Sequence, residues 1–161
     1  SDNNTFSFYV HGTVHGSIDP FVALYNEEND VYTEQWNLPF LAHINLSGYG
    51  WGEMTSPNAP SDHVYVGQSI DHPSSPHGSN VHALKIDENG SILWESTINL
   101  QQWNGNTFSQ DIILSTTYIE GGEFAGGVAL GGYSWRVPGN QHKEGDAVVV
   151  IFDSNGASRT W

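Results

Sequence analysis

One hairpin sequence occurs three times along this chain of 161 residues. Its clearest copy is residues 80–98, NVHALKIDENGSILWESTI, which predicts a strand, a tight turn and a second strand containing Trp94. Residues 146–161, DAVVVIFDSNGASRTW, repeat this pattern, and residues 19–36, DPFVALYNEENDVYTEQW, are a more divergent copy. Because a short repeated unit cannot bury its apolar face alone, three copies predict a chain built from stacked units.

The residues flanking each hairpin extend the repeat to about four predicted strands. The repeat unit is roughly 50–60 residues long, which is a period typical of propellers and related arrays. We assign residues 1–46, 47–118 and 119–161 to three copies within a single all-β domain. Residues 47–62 are rich in Gly, Pro, Ser and Asn and predict a loop. No apolar i, i+3, i+4, i+7 pattern runs beyond two turns, so we expect minimal helix.

The charge balance excludes several classes of partner. The chain has 18 acidic residues and 4 lysines plus arginines, a net charge of −14, so we expect no binding to nucleic acid. No apolar run approaches the ~20 residues that a spanning helix needs, so we expect no membrane insertion. Cysteine is absent, which excludes disulfides, thiolate metal sites and cysteine nucleophiles. The acidic, Gly-rich and Trp-rich composition favours an extracellular or cell-surface location.

A resemblance to a known family covers roughly half of the residues, in three patches. Val64-Tyr65-Val66-Gly67 precedes ALKIDENGSILW at residues 83–94, and DSNG at residues 153–156 precedes Trp161. These segments resemble the β-propeller repeats, of the seven-bladed-propeller type, that are found in bacterial secreted and surface proteins. The resemblance implies antiparallel four-stranded blades and says little about activity, because propellers host many functions.

The number of copies complicates the propeller interpretation. Propellers usually contain about four to eight blades, whereas this chain has three copies, the first of which begins at the position of a second strand. The resemblance therefore implies a partial ring, a ring completed by self-association, or part of a larger parent protein. A compact three-fold β fold of the trefoil type and a β-sandwich are the alternative architectures.

The repeated turn and the repeated tryptophan both favour structural roles. Asp87-Glu88-Asn89-Gly90 has the beginning of a calcium loop but lacks its distal acidic ligand, so we predict a turn in which Asp87 accepts backbone N–H groups. Trp36, Trp94 and Trp161 end equivalent segments, which predicts a shared packing layer. His82 aligns with Phe21 and Val148, so we expect a buried, hydrogen-bonded histidine.

Other aromatic residues are candidates for ligand binding. Three tryptophans without equivalents in the other copies lie in Gly-rich or Asn-rich segments: Trp51, Trp103 and Trp135. A tryptophan in such a segment either anchors a loop by packing or offers an aromatic face on which a ligand can stack. The predicted loops at residues 71–79 and 135–145 occupy equivalent positions, and the first contains His72 and His77. Equivalent loops fall on one face of a repeat array, which is a usual binding face.

A metal site is a further hypothesis for the same region. His63, Asp71, His72 and His77 supply imidazole and carboxylate ligands, although their spacing matches no established metal motif, and we predict no cofactor.

We therefore predict a non-enzymatic recognition module for a glycan or protein ligand. A structural subunit completed by a neighbouring chain and a hydrolase or lyase that uses histidine and carboxylates are the two alternatives. No Gly-x-Ser-x-Gly, phosphate loop or His-Glu-x-x-His occurs to favour the enzyme.

Overall fold

The structure, a computed structural model, describes residues 6–13, 20–39, 52–55, 63–71, 79–98, 100, 108–137 and 145–160. This part of the chain contains eleven β-strands and no α-helix, so the all-β prediction is confirmed. The strands are β1 (Phe6–Thr13), β2 (Pro20–Glu28), β3 (Val31–Pro39), β4 (Gly52–Thr55), β5 (His63–Asp71), β6 (Ser79–Asp87), β7 (Ile92–Ile98), β8 (Phe108–Tyr118), β9 (Val128–Val137), β10 (Gly145–Phe152) and β11 (Ser158–Thr160).

The strands form three antiparallel sheets in which sequence neighbours pair. The first sheet has the order β1-β2-β3, the second β4-β5-β6-β7 and the third β8-β9-β10-β11. In the described residues the first sheet has three strands and the other two have four. The hairpins β2–β3, β6–β7 and β10–β11 are the three sequence repeats, so the repeat pattern fixes equivalent positions in all three sheets.

The structure places two segments differently from the sequence analysis. Residues 52–55, inside the predicted loop, form β4 and pair with β5. Strand β8 belongs to the third sheet, because it hydrogen-bonds to β9 over Phe108↔Val137 to Tyr118↔Val128. Strand β8, which the sequence analysis assigned to the second copy, thus pairs within the third sheet. Strands β4 and β8 lack a recognisable repeat sequence, and only their hydrogen-bonded partners identify their sheets.

The second sheet lies between the other two and is buried on both faces. One core cluster joins it to the first sheet and includes Val64, Leu84 and Ile86 with Trp36 packed against it. A second cluster joins it to the third sheet and includes Tyr65, Val81, Ala83, Ile113, Val128, Leu130, Val150 and Phe152. Because other sheets cover both of its faces, β6 is buried along nearly its whole length, whereas a strand with one exposed face would alternate between buried and exposed residues.

The Asp-x-Asn-Gly segments form identical turns at one end of the second and third sheets. Asp87 Oδ1 accepts the N–H groups of Asn89 and Ser91, at 2.9 and 2.8 Å. Asp153 makes the equivalent pair of bonds, and the turn glycines Gly90 and Gly156 have φ of 81° and 83°. The turn prediction is confirmed, because the carboxylate satisfies backbone donors that the turn leaves unpaired.

Each repeated tryptophan in the described residues docks onto the turn of the next sheet. Trp36 Nε1 donates to the carbonyl of Glu88 at 2.8 Å, and Trp94 Nε1 donates to the carbonyl of Ser154 at 3.1 Å. The shared packing role is thus confirmed for these two residues, while Trp161 lies outside the described residues. We call the end of the sheets that carries these turns the turn end, and the opposite end the loop end.

Candidate binding site

The loop end contains a group of buried polar side chains, which we call the polar cluster. Except for His82, whose alignment with apolar residues predicted its burial, these side chains gave no signal at the sequence level, because polar residues near strand ends are common in β proteins. The members are Gln68 and Ser69 at the end of β5, Ser79, Asn80 and His82 at the start of β6, and Asp111 in β8.

Half of the polar cluster joins the second sheet to the third. Ser79 Oγ accepts the N–H of Asp111 and donates to its carbonyl, both at 2.7 Å. Ser69 Oγ accepts the N–H of Ile113 at 2.9 Å. The Asp111 carboxylate in turn accepts the hydroxyl of Ser134 at 2.6 Å. These hydrogen bonds from serine side chains of the second sheet to the backbone of β8 fix the relative position of the two sheets at this end.

The other half of the polar cluster faces the first sheet. Gln68 Nε2 lies 2.9 Å from His82 Nδ1, and because an amide nitrogen only donates, the imidazole nitrogen is the acceptor. His82 Nε2 lies 4.0 Å from the partly exposed carboxylate of Glu95. His82 is 1% exposed, so its predicted burial is confirmed. Within the described residues, the buried Gln68 Oε1 and Asn80 Oδ1 accept no hydrogen bond.

The second sheet separates the two buried titratable side chains of the polar cluster. His82 lies on the face of β6 that carries Leu84 and Ile86, which pack toward the first sheet. Asp111 contacts Ser79, whose side chain lies on the opposite face with Val81 and Ala83. The imidazole and the carboxylate therefore do not form a pair for acid–base chemistry.

The strand ends bring the predicted binding residues toward the loop end. Trp135 belongs to β9, where its backbone is opposite Gly145 and Gln110. Asp71 is the last residue of β5, opposite Ser79. The predictions for Trp51, Trp103, His72 and His77 lie outside the described residues.

The remaining metal candidate, His63, lies at the turn end. It begins β5, its ring packs edge-on against Tyr65 at 5.2 Å, and it contacts Tyr118 at 6.3 Å. His63 and Asp71 are about 26 Å apart along the strand, at ~3.3 Å per residue. The structure thus does not bring these two candidates together. Among the described residues no three His, Asp or Glu side chains are grouped to hold a metal ion.

A second surface feature, absent from the sequence analysis, is an aromatic group on the face of the first sheet that points away from the second. Phe8 stacks on Tyr25 at 6.0 Å and meets Tyr32 edge-on at the same distance. The Tyr25 hydroxyl donates to Glu34 at 2.7 Å, and this hydrogen bond, with smaller contributions from burial and charge, raises the pKa of Tyr25 above its usual value.

In the part of the chain that the structure covers, no helix has the length and apolarity to cross a bilayer. Comparison with protein-family models and with curated proteins finds no match to this chain.

Proposed function

We propose that this protein is an extracellular, non-enzymatic recognition module that binds a glycan at the loop end of a propeller-type array of sheets. The observation that carries the proposal is that three equivalent pairs of strands end at the loop end. Residues 14–19, 72–78 and 138–144 each join the second and third strands of the repeat, whose ends lie at the loop end. Loops of this kind on a rigid scaffold are common binding elements.

The polar cluster supports the proposal by making that scaffold rigid. Ser69 and Ser79 join the second and third sheets directly below the strand ends, so the connections start from fixed positions. Gln68 Oε1 and Asn80 Oδ1, which accept no hydrogen bond from the described residues, are suited to a water that bridges to a sugar hydroxyl.

The tryptophans give the proposed ligand class. A sugar ring presents an apolar face that packs against an aromatic ring, while its hydroxyls take polar partners. Trp135 belongs to the loop end, Trp51 precedes β4 by one residue, and Trp103 belongs to the segment between β7 and β8. We assign these three residues the stacking role, with His72 and His77 as polar partners in the 72–78 connection.

A glycan array with the purified protein tests the proposal. We expect binding to a restricted set of glycans, and a loss of at least about tenfold in affinity for Trp51→Ala, Trp103→Ala or Trp135→Ala. Leu93→Ala is the matched control, because Leu93 is an exposed apolar residue on β7 near the turn end. No glycan binding by the folded wild-type protein, or equal loss in the control, contradicts the proposal.

A further inference from the structure

The sheets pack through one repeated cross-strand row, which we call the forward row because it faces the next sheet. Its two aromatic members have nearly the same geometry in both sheets, with ring centroids 6.0 Å apart and interplanar angles of 49° and 50°. The register partners that form the row are Tyr9, Leu24 and Trp36 in the first sheet and Tyr65, Lys85 and Trp94 in the second.

The forward row packs against a back row on the following sheet. Trp94 stacks on Phe152 at 5.9 Å, and Trp36 packs against the cluster containing Ile86. In both back rows the member on the first of the three strands is a valine. Their register partners are Val64, Ile86 and Ile92 in the second sheet and Val128, Phe152 and Ser158 in the third.

The forward row of the third sheet is different in both size and charge. Its register partners are Ala129, Ile151 and Arg159, so alanine stands at the register position of Tyr65 and arginine at that of Trp94, while the repeat's third tryptophan, Trp161, lies outside the described residues. This face is uncovered, since Val149 beside the row is 45% exposed. Arg159 pairs with Glu123 at 3.1 Å, but both side chains are more than half exposed, so a second carboxylate can join the pair.

The back row of the first sheet shows the complementary changes. Its register partners are Phe8, Tyr25 and Glu34, so an aromatic ring takes the place of valine and a carboxylate takes the place of Ile92 or Ser158. This face is also uncovered, since Phe8 is 36% exposed and the neighbouring Tyr32 is 64% exposed.

We propose that these two uncovered rows bind each other between two copies of the chain, with the third sheet of one copy packed against the first sheet of the other. The bulk that Tyr65 supplies inside the chain is supplied here by Phe8, which the small Ala129 accommodates. Arg159 pairs with Glu34, which gives the interface a charge complementarity that the internal ones lack. The contact is head-to-tail, so it builds a closed ring or an open array.

Charge reversal tests the ionic part of the interface. Sedimentation velocity over a concentration series should show self-association of the wild-type protein. Arg159→Glu and Glu34→Arg should each raise the dissociation constant at least about tenfold, since each juxtaposes like charges. A mixture of the two variants should associate as the wild type does, because each altered row then meets an oppositely charged one. Glu88→Arg, an exposed turn substitution with the same charge change as Glu34→Arg, should have no effect.

A size exchange tests the packing part. Ala129→Tyr restores the residue type of the internal forward rows and should block association, because Phe8 leaves no room for it. Adding Phe8→Val, the residue type of the internal back row, should restore association. Circular dichroism and thermal unfolding establish that each variant folds.

Two outcomes overturn the proposal. One is a wild-type protein that stays monomeric at every concentration, which would leave both rows to another occupant such as a further repeat. The other is self-association that neither the charge reversals nor Ala129→Tyr changes. Glycan binding is measured separately, so failure of either proposal leaves the other testable.

Discussion

Trp36 and Trp94 show how one side chain joins two sheets at the residue scale. Each ring covers a turn glycine of the next sheet and donates its indole N–H to a turn carbonyl. An added Cβ at Gly90 would lie 2.8 Å from Trp36, and one at Gly156 would lie 2.9 Å from Trp94. The glycines therefore serve two purposes, since they permit positive φ and also leave space for the indole.

We expect Gly90→Ala and Gly156→Ala to destabilise the protein more than Gly122→Ala. Gly122 has φ of 82° and open space around its Cβ position, so its replacement costs only the left-handed backbone, about 1–2 kcal/mol. The other two substitutions add a clash with an indole, for roughly 1–3 kcal/mol more. Urea denaturation measures the difference. Equal losses for all three variants would mean that the indole contact contributes nothing.

Tyr25 provides a residue-scale prediction about pH. The hydrogen bond to Glu34 favours the protonated phenol, so the pKa of Tyr25 is raised above 10.0 in the folded state. Because the pKa is raised in the folded state, any stability from this bond is present below pH ~10 and is lost as the pH rises through the folded pKa. Titration of the Tyr25 ring carbon by NMR should show a lower pKa in Glu34→Ala than in the wild type. An unchanged pKa would show that Glu34 does not interact with the phenol in solution.

At the scale of the element, β8 depends on serine side chains of the second sheet. Ser79 Oγ binds both backbone groups of Asp111, which are buried. Ser79→Ala removes both of these hydrogen bonds, so we expect a loss of about 1–3 kcal/mol in unfolding free energy and faster amide exchange at Asp111. Ser91→Ala is the control, because Ser91 is exposed in a turn. Unchanged protection of the Asp111 amide in Ser79→Ala would contradict the assigned role.

At the scale of the whole molecule, the middle position of the second sheet predicts a gradient of stability. Strand β6 is buried on both faces and pairs with a strand on each side, whereas β3 and β11 each lie at a sheet edge. We therefore expect the slowest amide exchange in β5 and β6, approaching the global unfolding free energy. Hydrogen exchange followed by NMR measures this. Equal or greater protection in β11 would show that the three sheets do not unfold in this order.

The sequence by itself determined the all-β class, the repeated hairpins, the aspartate-capped turns and the burial of His82, because each depends on short-range patterns. Alternation, turn residues and alignment between copies are all readable within a few tens of residues. Tertiary structure alone decided that β8 belongs to the third sheet, that His63 and Asp71 lie at opposite ends of β5, and that Ser69 and Ser79 join two sheets. These features depend on which strands pair and which faces meet. A polar residue in a strand carries no local sign of the backbone that it will satisfy on a neighbouring sheet.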